Sequence, residues 1–419
     1  MAFLYNLLIF LYSVLIRLAA PVNRKARLLV QGRKNWRTPF VDKPLDLTRP
    51  VAWFHAASLG EFEQGRPVID AFRATYPAYQ VVVSFFSPSG YEVRKNYAGA
   101  DVVTYLPADT ATNARDWLEQ VRPSIAFFIK YEFWHHYLHA LRAGNVPTLS
   151  VSAIFRPNQL FFKPYGQFYR NILTCFDHIL VQNQESVSLL ASIGILPVTL
   201  AGDTRFDRVA QVAATKRAIP EAASFAGNWP TLVIGSAWAA DMAVLIPVLN
   251  AFTQPLRVLI APHEIHDAAI EGWRTLLTAP SVRFSALEAG TAVAEEVRYL
   301  FIDNIGMLTS LYQYGSLAYI GGAFGKGLHN CLEAATFGLP LLFGPNHQKF
   351  QEAVDLVRQG GAFQVRSADE LTAALTHLYT NAPARAHAGA VCRRYVVGNV
   401  GATDLVMQTA AGLVRSPAS

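Results

Sequence analysis

From Pro50 onward the chain repeats one pattern: a short apolar run, then a longer amphipathic stretch. The runs 51–55 (Val51–His55), Gln80–Phe85, Val102–Tyr105, Ser124–Ile129, Thr148–Val151 and His178–Val181 read as strands. This is the β-α-β rhythm of a parallel sheet covered by helices on both faces. A less apolar stretch near Asp207–Trp229, with Arg208, Lys216, Arg217, Pro220 and Glu221, reads as a linker with room for a short helix. The alternation then restarts with Leu232–Gly235, Arg257–Ala261, Tyr299–Ile302, Leu317–Ile320, Leu341–Phe343 and Ala362–Val365, and helical patterns end the chain. The expected fold class is therefore α/β, with two doubly wound Rossmann-like domains facing a cleft. Its expected parts are an anchoring segment at 1–40, an N-terminal domain at 41–208, a linker at 209–229 and a C-terminal domain at 230–419. In such sheets ligands collect beyond the C-terminal ends of strands.

Charge divides the chain as sharply as pattern does. The net charge is +6, yet residues 1–40 hold seven basic side chains and no Asp or Glu, so the remainder carries −1. A nucleic-acid-binding body would need its own basic face, so nucleic acid is not an expected partner. The basic residues, from Arg17 to Arg37, follow the apolar run 2–16. A secretory signal carries its basic residues on the other side. Fifteen helical residues reach about 22 Å, short of a ~30 Å hydrocarbon core. The segment is expected to hold the protein on a membrane surface, lying in it or crossing it, with its basic side cytoplasmic. A buried helix that merely starts the chain is the alternative. Cys175, Cys331 and Cys392 show no metal-ligand or disulfide-framework spacing and fit a reducing compartment.

Three strand ends carry residues suited to chemistry. His55-Ala56-Ala57-Ser58-Leu59-Gly60-Glu61 follows the first strand, and a helical pattern starts near Glu61. The helix dipole should favour an ionised Glu61, which can serve as a general base; an ordinary helix-start charge is the alternative. Lys130-Tyr131-Glu132-Phe133-Trp134 puts Glu132 in the same topological position, with core packing of Phe133 and Trp134 as the plainer reading. Gly321-Gly322-Ala323-Phe324-Gly325-Lys326-Gly327 opens toward a helix expected near His329 and suits a phosphate. Lys326 adds a cation there, and Glu333 could accept from sugar hydroxyls. Tight strand-to-helix packing explains the same glycines. Ser236, and Pro262 with His263, end further strands, and Arg205, where the first half closes, is placed to meet an anion across the cleft. Phe161-Phe162-Lys163-Pro164-Tyr165 is a core pair or a second membrane contact. No His, Cys or Asp group has metal-ligand spacing, so neither a metal nor another cofactor is expected.

Taken in order, these motifs resemble the 3-deoxy-D-manno-octulosonic acid (Kdo) transferases of lipopolysaccharide synthesis. The family's H-x-x-S-x-G-E matches His55 to Glu61, and its E-x-E-x-W-P matches at Glu132 and Trp134, with Lys130 for the first Glu and His135 for the Pro. Its Gly-Asn-x-Lys-x-Asp is read in 202–207, with Arg205 for Lys. Its Pro-Arg becomes Pro262-His263, its Gly-Glu-Leu becomes Gly306-Met307-Leu308, and its Asn-led helix start is Asn330-Cys331-Leu332-Glu333.

The resemblance implies a GT-B architecture and an inverting glycosyltransferase. Its donor would be CMP-Kdo and its acceptor a lipid A precursor, at the cytoplasmic face of the inner membrane. It makes Glu61 the base and gives Glu132 a transition-state or acceptor-positioning role. Donor contacts are then expected from Arg205, Ser236, Pro262, His263, Gly306, Met307, Leu308, Gly325, Lys326, Gly327, Asn330, Cys331, Leu332 and Glu333. A nucleotide-sugar 2-epimerase would need no lipid-facing tail, and a non-catalytic sugar-nucleotide binder would need no carboxylate pair.

Overall fold

A computed structural model of the chain describes residues 1–215, 217–287 and 293–414. Lys216, within the expected linker, lies outside the described residues. The chain forms two compact units: residues 1–208 together with the chain's end from Val400, and Val209–Asn399.

The first unit is built on a seven-stranded parallel sheet. Its strands are β1 (Val51–Ala56), β2 (Gln80–Phe85), β3 (Val102–Tyr105), β4 (Pro123–Ile129), β5 (Thr148–Ala153), β6 (His178–Val181) and β7 (Val198–Leu200), in the order β3-β2-β1-β4-β5-β6-β7. Every position of β1 and β2 is buried, as expected for strands sandwiched between helix layers. Alternate residues serve opposite cores. Trp53 and Phe128 pack on one face with Trp117 and Tyr137, while Phe54 stacks on Phe127 at 4.4 Å on the other. Phe161 is buried in the first of these cores with Phe162 packed against it, the core-pair alternative.

The second unit repeats the plan. Its strands are β8 (Thr231–Ala237), β9 (Arg257–Pro262), β10 (Ser281–Arg283), β11 (Tyr299–Phe301), β12 (Leu317–Ile320), β13 (Leu341–Phe343) and β14 (Ala362–Gln364). They lie in the order β10-β11-β9-β8-β12-β13-β14, with every pairing parallel. In each unit the winding reverses beside the first strand, between β1 and β4 and between β8 and β12. That reversal is where open α/β sheets bind ligands.

Two boundaries differ from the sequence expectation. The stretch 209–229 is largely helical, within Thr204–Ala214 and Pro220–Ala226, and belongs to the second unit. The chain's end leaves the expected 230–419 domain and returns to the first unit. There Asp207 accepts hydrogen bonds from the Gly401 and Thr403 amides at 2.6 and 2.7 Å and from the Thr403 hydroxyl at 2.7 Å. These contacts anchor the start of the helix Ala402–Ala411, whose Val406 and Ala410 join the β1–β2 core.

The apolar N-terminal run forms the helix Ala2–Ala19, of mean hydropathy 1.9 and with none of its residues buried. One flank rests on the first unit: Tyr5 donates to Asp109, Asn6 bonds His136 at 2.6 Å, and Tyr12 stacks on Phe86 at 6.1 Å. The opposite flank, with Phe3, Leu7, Phe10 and Leu18, is exposed.

Candidate active site

In the first unit, the carboxylates of Glu61 and Glu132 stand beyond β1 and β4, the two strands that flank the reversal. Ser58 caps the helix Leu59–Thr75, accepting from the Glu61 amide, so the helix begins two residues before the expected start at Glu61. The Glu61 side chain folds back to accept the Ala57 amide at 2.7 Å. The expectation that the helix N-terminus keeps Glu61 readily ionised is corrected. Burial, followed by the charge of Glu132, pushes it up to about 7. The Ala57 amide and the Lys130 cation pull the other way and are outweighed. Lys130 occupies a left-handed backbone conformation (φ 69°) at the β4 exit.

Glu132 is buried and held by two donors on one oxygen: Trp134 Nε1 at 2.6 Å and His55 Nε2 at 3.0 Å. His55 pairs with Ser84 across β1 and β2. Its Nδ1 lies 2.8 Å from Ser84 Oγ, which also accepts from Trp53 Nε1 at 2.8 Å. An indole N–H only donates, and an ionised carboxylate only accepts. Trp53 therefore donates to Ser84 Oγ, and His55 bridges Ser84, with Nδ1 also 3.1 Å from its carbonyl oxygen, to the Glu132 carboxylate. The sequence reading quoted His55 as part of a motif and gave it no role. A histidine inside an otherwise apolar strand was the available signal.

Arg205 is turned onto its own loop. Its Nε and Nη2 both lie 2.7 Å from Asp203 Oδ2, and Asp203 also accepts from Gln64 at 2.7 Å. The first structural partner of Arg205 is thus a neighbouring carboxylate, where the sequence reading expected an anion.

In the second unit, the loops after β8 and β12 meet through backbone. A Cβ on Gly321 would lie 2.2 Å from the Ser236 carbonyl oxygen, so only glycine permits this approach. Gly322 adopts φ 94°. Buried Asp241 ties the two loops together: Oδ2 accepts from the Trp238 and Gly322 amides at 3.0 and 2.8 Å, and Oδ1 accepts from Tyr319 at 3.0 Å. The sequence reading missed Asp241, a lone acid at the start of an apolar helix.

The glycine loop closes on itself, Gly325 and Gly327 both donating to the Gly322 carbonyl, and Lys326 is exposed. Asn346 braces it, its amide donating to the Ala323 carbonyl at 2.9 Å and its Nδ2 to the Gly325 carbonyl at 2.8 Å. The helix expected near His329 starts only at Leu332 and lasts a single turn, to Ala335. The Asn330 side chain accepts from the Leu332 amide and donates to Glu333, which also accepts from Thr309. Glu333 is thereby joined to the 306–308 segment, where Met307 is buried and Leu308 opens a short helix. Cys331 and Leu332 are buried beside it.

Pro262 ends β9, and the exposed His263 ring stacks between Trp238 and His329, 4.3 Å from each. Trp238 Nε1 donates to His329 Nε2 at 2.7 Å. That bond makes His329 a neutral ring protonated on Nδ1, and burial holds it below the usual histidine range. Among the described residues no cluster of His, Cys, Asp and Glu has the makings of a metal site.

Two Rossmann-like units, one carrying paired carboxylates and the other a glycine loop at the sheet reversal, define the GT-B class. A solved structure agrees on the fold: a UDP-GlcNAc 2-epimerase from Neisseria meningitidis has a TM-score of 0.61 at 14% identity, covering 87% of this chain and 100% of that one. Sequence relatives are more specific. Residues 32–208 match the family described as 3-deoxy-D-manno-octulosonic-acid transferase. A 3-deoxy-D-manno-octulosonic acid transferase of Chlamydophila psittaci is 26% identical, covering 75% of this chain and 74% of the relative. One from Bordetella pertussis is 28% identical, covering 86% of each. The chain is thus similar to the Kdo transferases, which are glycosyltransferases, over most of its length.

Proposed function

We propose that the protein transfers Kdo from CMP-Kdo to a lipid A precursor, with inversion and without a covalent sugar–enzyme intermediate. Likeness to the Kdo transferases supplies the reaction class. The observation that carries the assignment of roles is the carboxylate pair, with Glu61 pushed up to about 7. A base poised near neutral pH both ionises and drives proton transfer. Glu61 takes the proton from the acceptor's primary hydroxyl as the new C–O bond forms at the anomeric carbon. Glu132, fixed by His55 and Trp134, orients the acceptor and stabilises positive charge developing on the donor sugar.

The second unit holds the donor. Gly325, Lys326 and Gly327 receive the phosphate, where the exposed Lys326 cation favours the leaving CMP. Asn330 and Glu333 take the ribose, and the Trp238–His263–His329 stack beside Ser236 and Pro262 offers flat surface to the base. Gly306, Met307 and Leu308, with Cys331 and Leu332, shape the wall behind Glu333. Arg205 supplies an anion contact on exchanging part of its pairing with Asp203. No metal takes part in this scheme.

The first helix holds the enzyme at the cytoplasmic face of the inner membrane. Its contacts run along one flank from Tyr5 to Tyr12, which suits a helix lying in the interface with its exposed apolar flank in lipid. An assay with CMP-Kdo and lipid A precursor, beside CTP and UDP-sugar controls, tests the reading. Kdo-bearing lipid formed from CMP-Kdo alone is expected; epimerised UDP-sugar, or no product from any donor, overturns it.

A further inference from the structure

The helix Arg24–Lys34 leaves an unexplained cation against Phe86, whose ring stacks on Trp134 at 4.8 Å. The Arg33 guanidinium lies 4.3 Å over the Phe86 ring and faces Tyr12 of the first helix. Its buried Nε and Nη2 make no well-formed hydrogen bond among the described residues, and the side chain that comes nearest to offering one is the Tyr12 hydroxyl, not an anion. Burial pulls it below its ordinary value. Buried donors are almost always paired, and a buried cation without an anion is costly to keep. A ligand that supplies the anion accounts for both.

Two cavities meet at Arg33 and Ala108. One, of about 400 Å³, also takes in Arg17, Lys34 and Asn113. The other, of about 260 Å³, is walled by Ile9, Tyr12, Phe86 and Trp134. Asp109 borders the second, but its oxygens are committed to the Tyr5 hydroxyl and to the first amides of the helix His135–Ala143. Trp134, in the apolar wall, is the same residue that donates to Glu132, so this cavity adjoins the proposed chemistry.

We propose that the two cavities are the seat of the acceptor lipid, which places an acyl chain against Trp134 and Phe86 and an anionic phosphate on Arg33, Arg17 and Lys34. The proposal rests on the transferase reading above. An amphiphile uses both compartments at once, whereas inorganic phosphate has no use for the apolar one. A bulk anionic lipid has no need of a seat that touches the partner of Glu132.

The test is a kinetic comparison of full-length protein on phosphorylated and dephosphorylated lipid A precursor in detergent. Wild type should prefer the phosphorylated lipid. In Arg33→Met, the KM for that lipid should rise roughly ten-fold or more, as for loss of a charged hydrogen bond. The preference should collapse, while kcat and the CMP-Kdo KM stay within about three-fold, and Arg33→Lys should recover part of the preference. Should Arg33→Met fold poorly, Ala108→Leu fills the junction from the other wall and should raise the same KM. Unchanged acceptor KM in the folded variants overturns the proposal. So does a defect confined to binding acceptor-free anionic vesicles, which would make bulk lipid the occupant. Wild type that transfers no Kdo at all overturns the functional reading, and this inference with it.

Discussion

Both units have a parallel sheet whose winding reverses beside its first strand, and they equip that reversal differently. In the first, side chains converge: His55 and Trp134 fix Glu132, and a desolvated Glu61 stands within reach of its charge. In the second, backbone converges: Gly321 lies against Ser236, and Asp241 binds amides from both loops. A proton-transfer site needs groups whose ionisation is tuned, and burial beside a like charge does that. A phosphate-holding site needs backbone that a ligand can approach closely, and glycine allows that. The same kind of sheet reversal therefore supports two kinds of chemistry.

The largest test of this division is Glu61→Gln. It should lower kcat by about 10²–10⁴-fold and leave CMP-Kdo affinity nearly unchanged, as measured by steady-state kinetics and calorimetry. Since the ionised form is the base, wild-type kcat/KM should climb as pH rises through about 7, and the Gln variant should lose that limb. Gly321→Ala should do the reverse. Its methyl group meets the Ser236 carbonyl, costing about 2–3 kcal/mol in stability or donor affinity, read by thermal melts and donor Kd. A Gly321→Ala enzyme with a normal donor Kd and a collapsed kcat would break the comparison.

Stability sharpens it further. A carboxyl raised from 4.5 to about 7 in the folded state binds protons that the unfolded chain releases. Its contribution is full below the unfolded value and is lost as pH rises through the folded one. Glu61→Gln should thus be more stable than wild type by about 1–3 kcal/mol at pH 8, the gap closing toward pH 4, in urea titrations. An unchanged gap across that range would mean that Glu61 is well solvated. The smallest effect belongs to Asn346→Ala, which removes one brace from the glycine loop and should weaken donor binding by about 1 kcal/mol.

Periodicity carried most of the fold. Gln80–Phe85, Val102–Tyr105, His178–Val181, Leu317–Ile320 and Leu341–Phe343 match their predicted bounds, because a buried parallel strand is an apolar run between turns. The strands at Val198–Leu200 and Ser281–Arg283 escaped notice. Each has three residues, one hydrogen-bonded neighbour and no fully buried position, so its sequence carries little hydrophobic signal. Glu61 and Glu132 were legible because position after a strand marks them. Asp241, and the role of His55, were not. Each acts through partners distant in sequence, Gly322 for one and Ser84 and Glu132 for the other. Conversely, the dipole argument for Glu61 failed because burial is a tertiary property.

The grip of Asp207 on Gly401 and Thr403 has a consequence for biosynthesis. The second unit is one uninterrupted stretch of chain, whereas the first is split around it. As the polypeptide leaves the ribosome, the second unit has all its residues before the first does. The first unit must wait for the helix Ala402–Ala411 to cover its core at Val406 and Ala410. The earliest part synthesised is thus among the last to be finished. A chain that stops short of residue 400 would leave its base-bearing half, not its nucleotide-bearing half, incomplete.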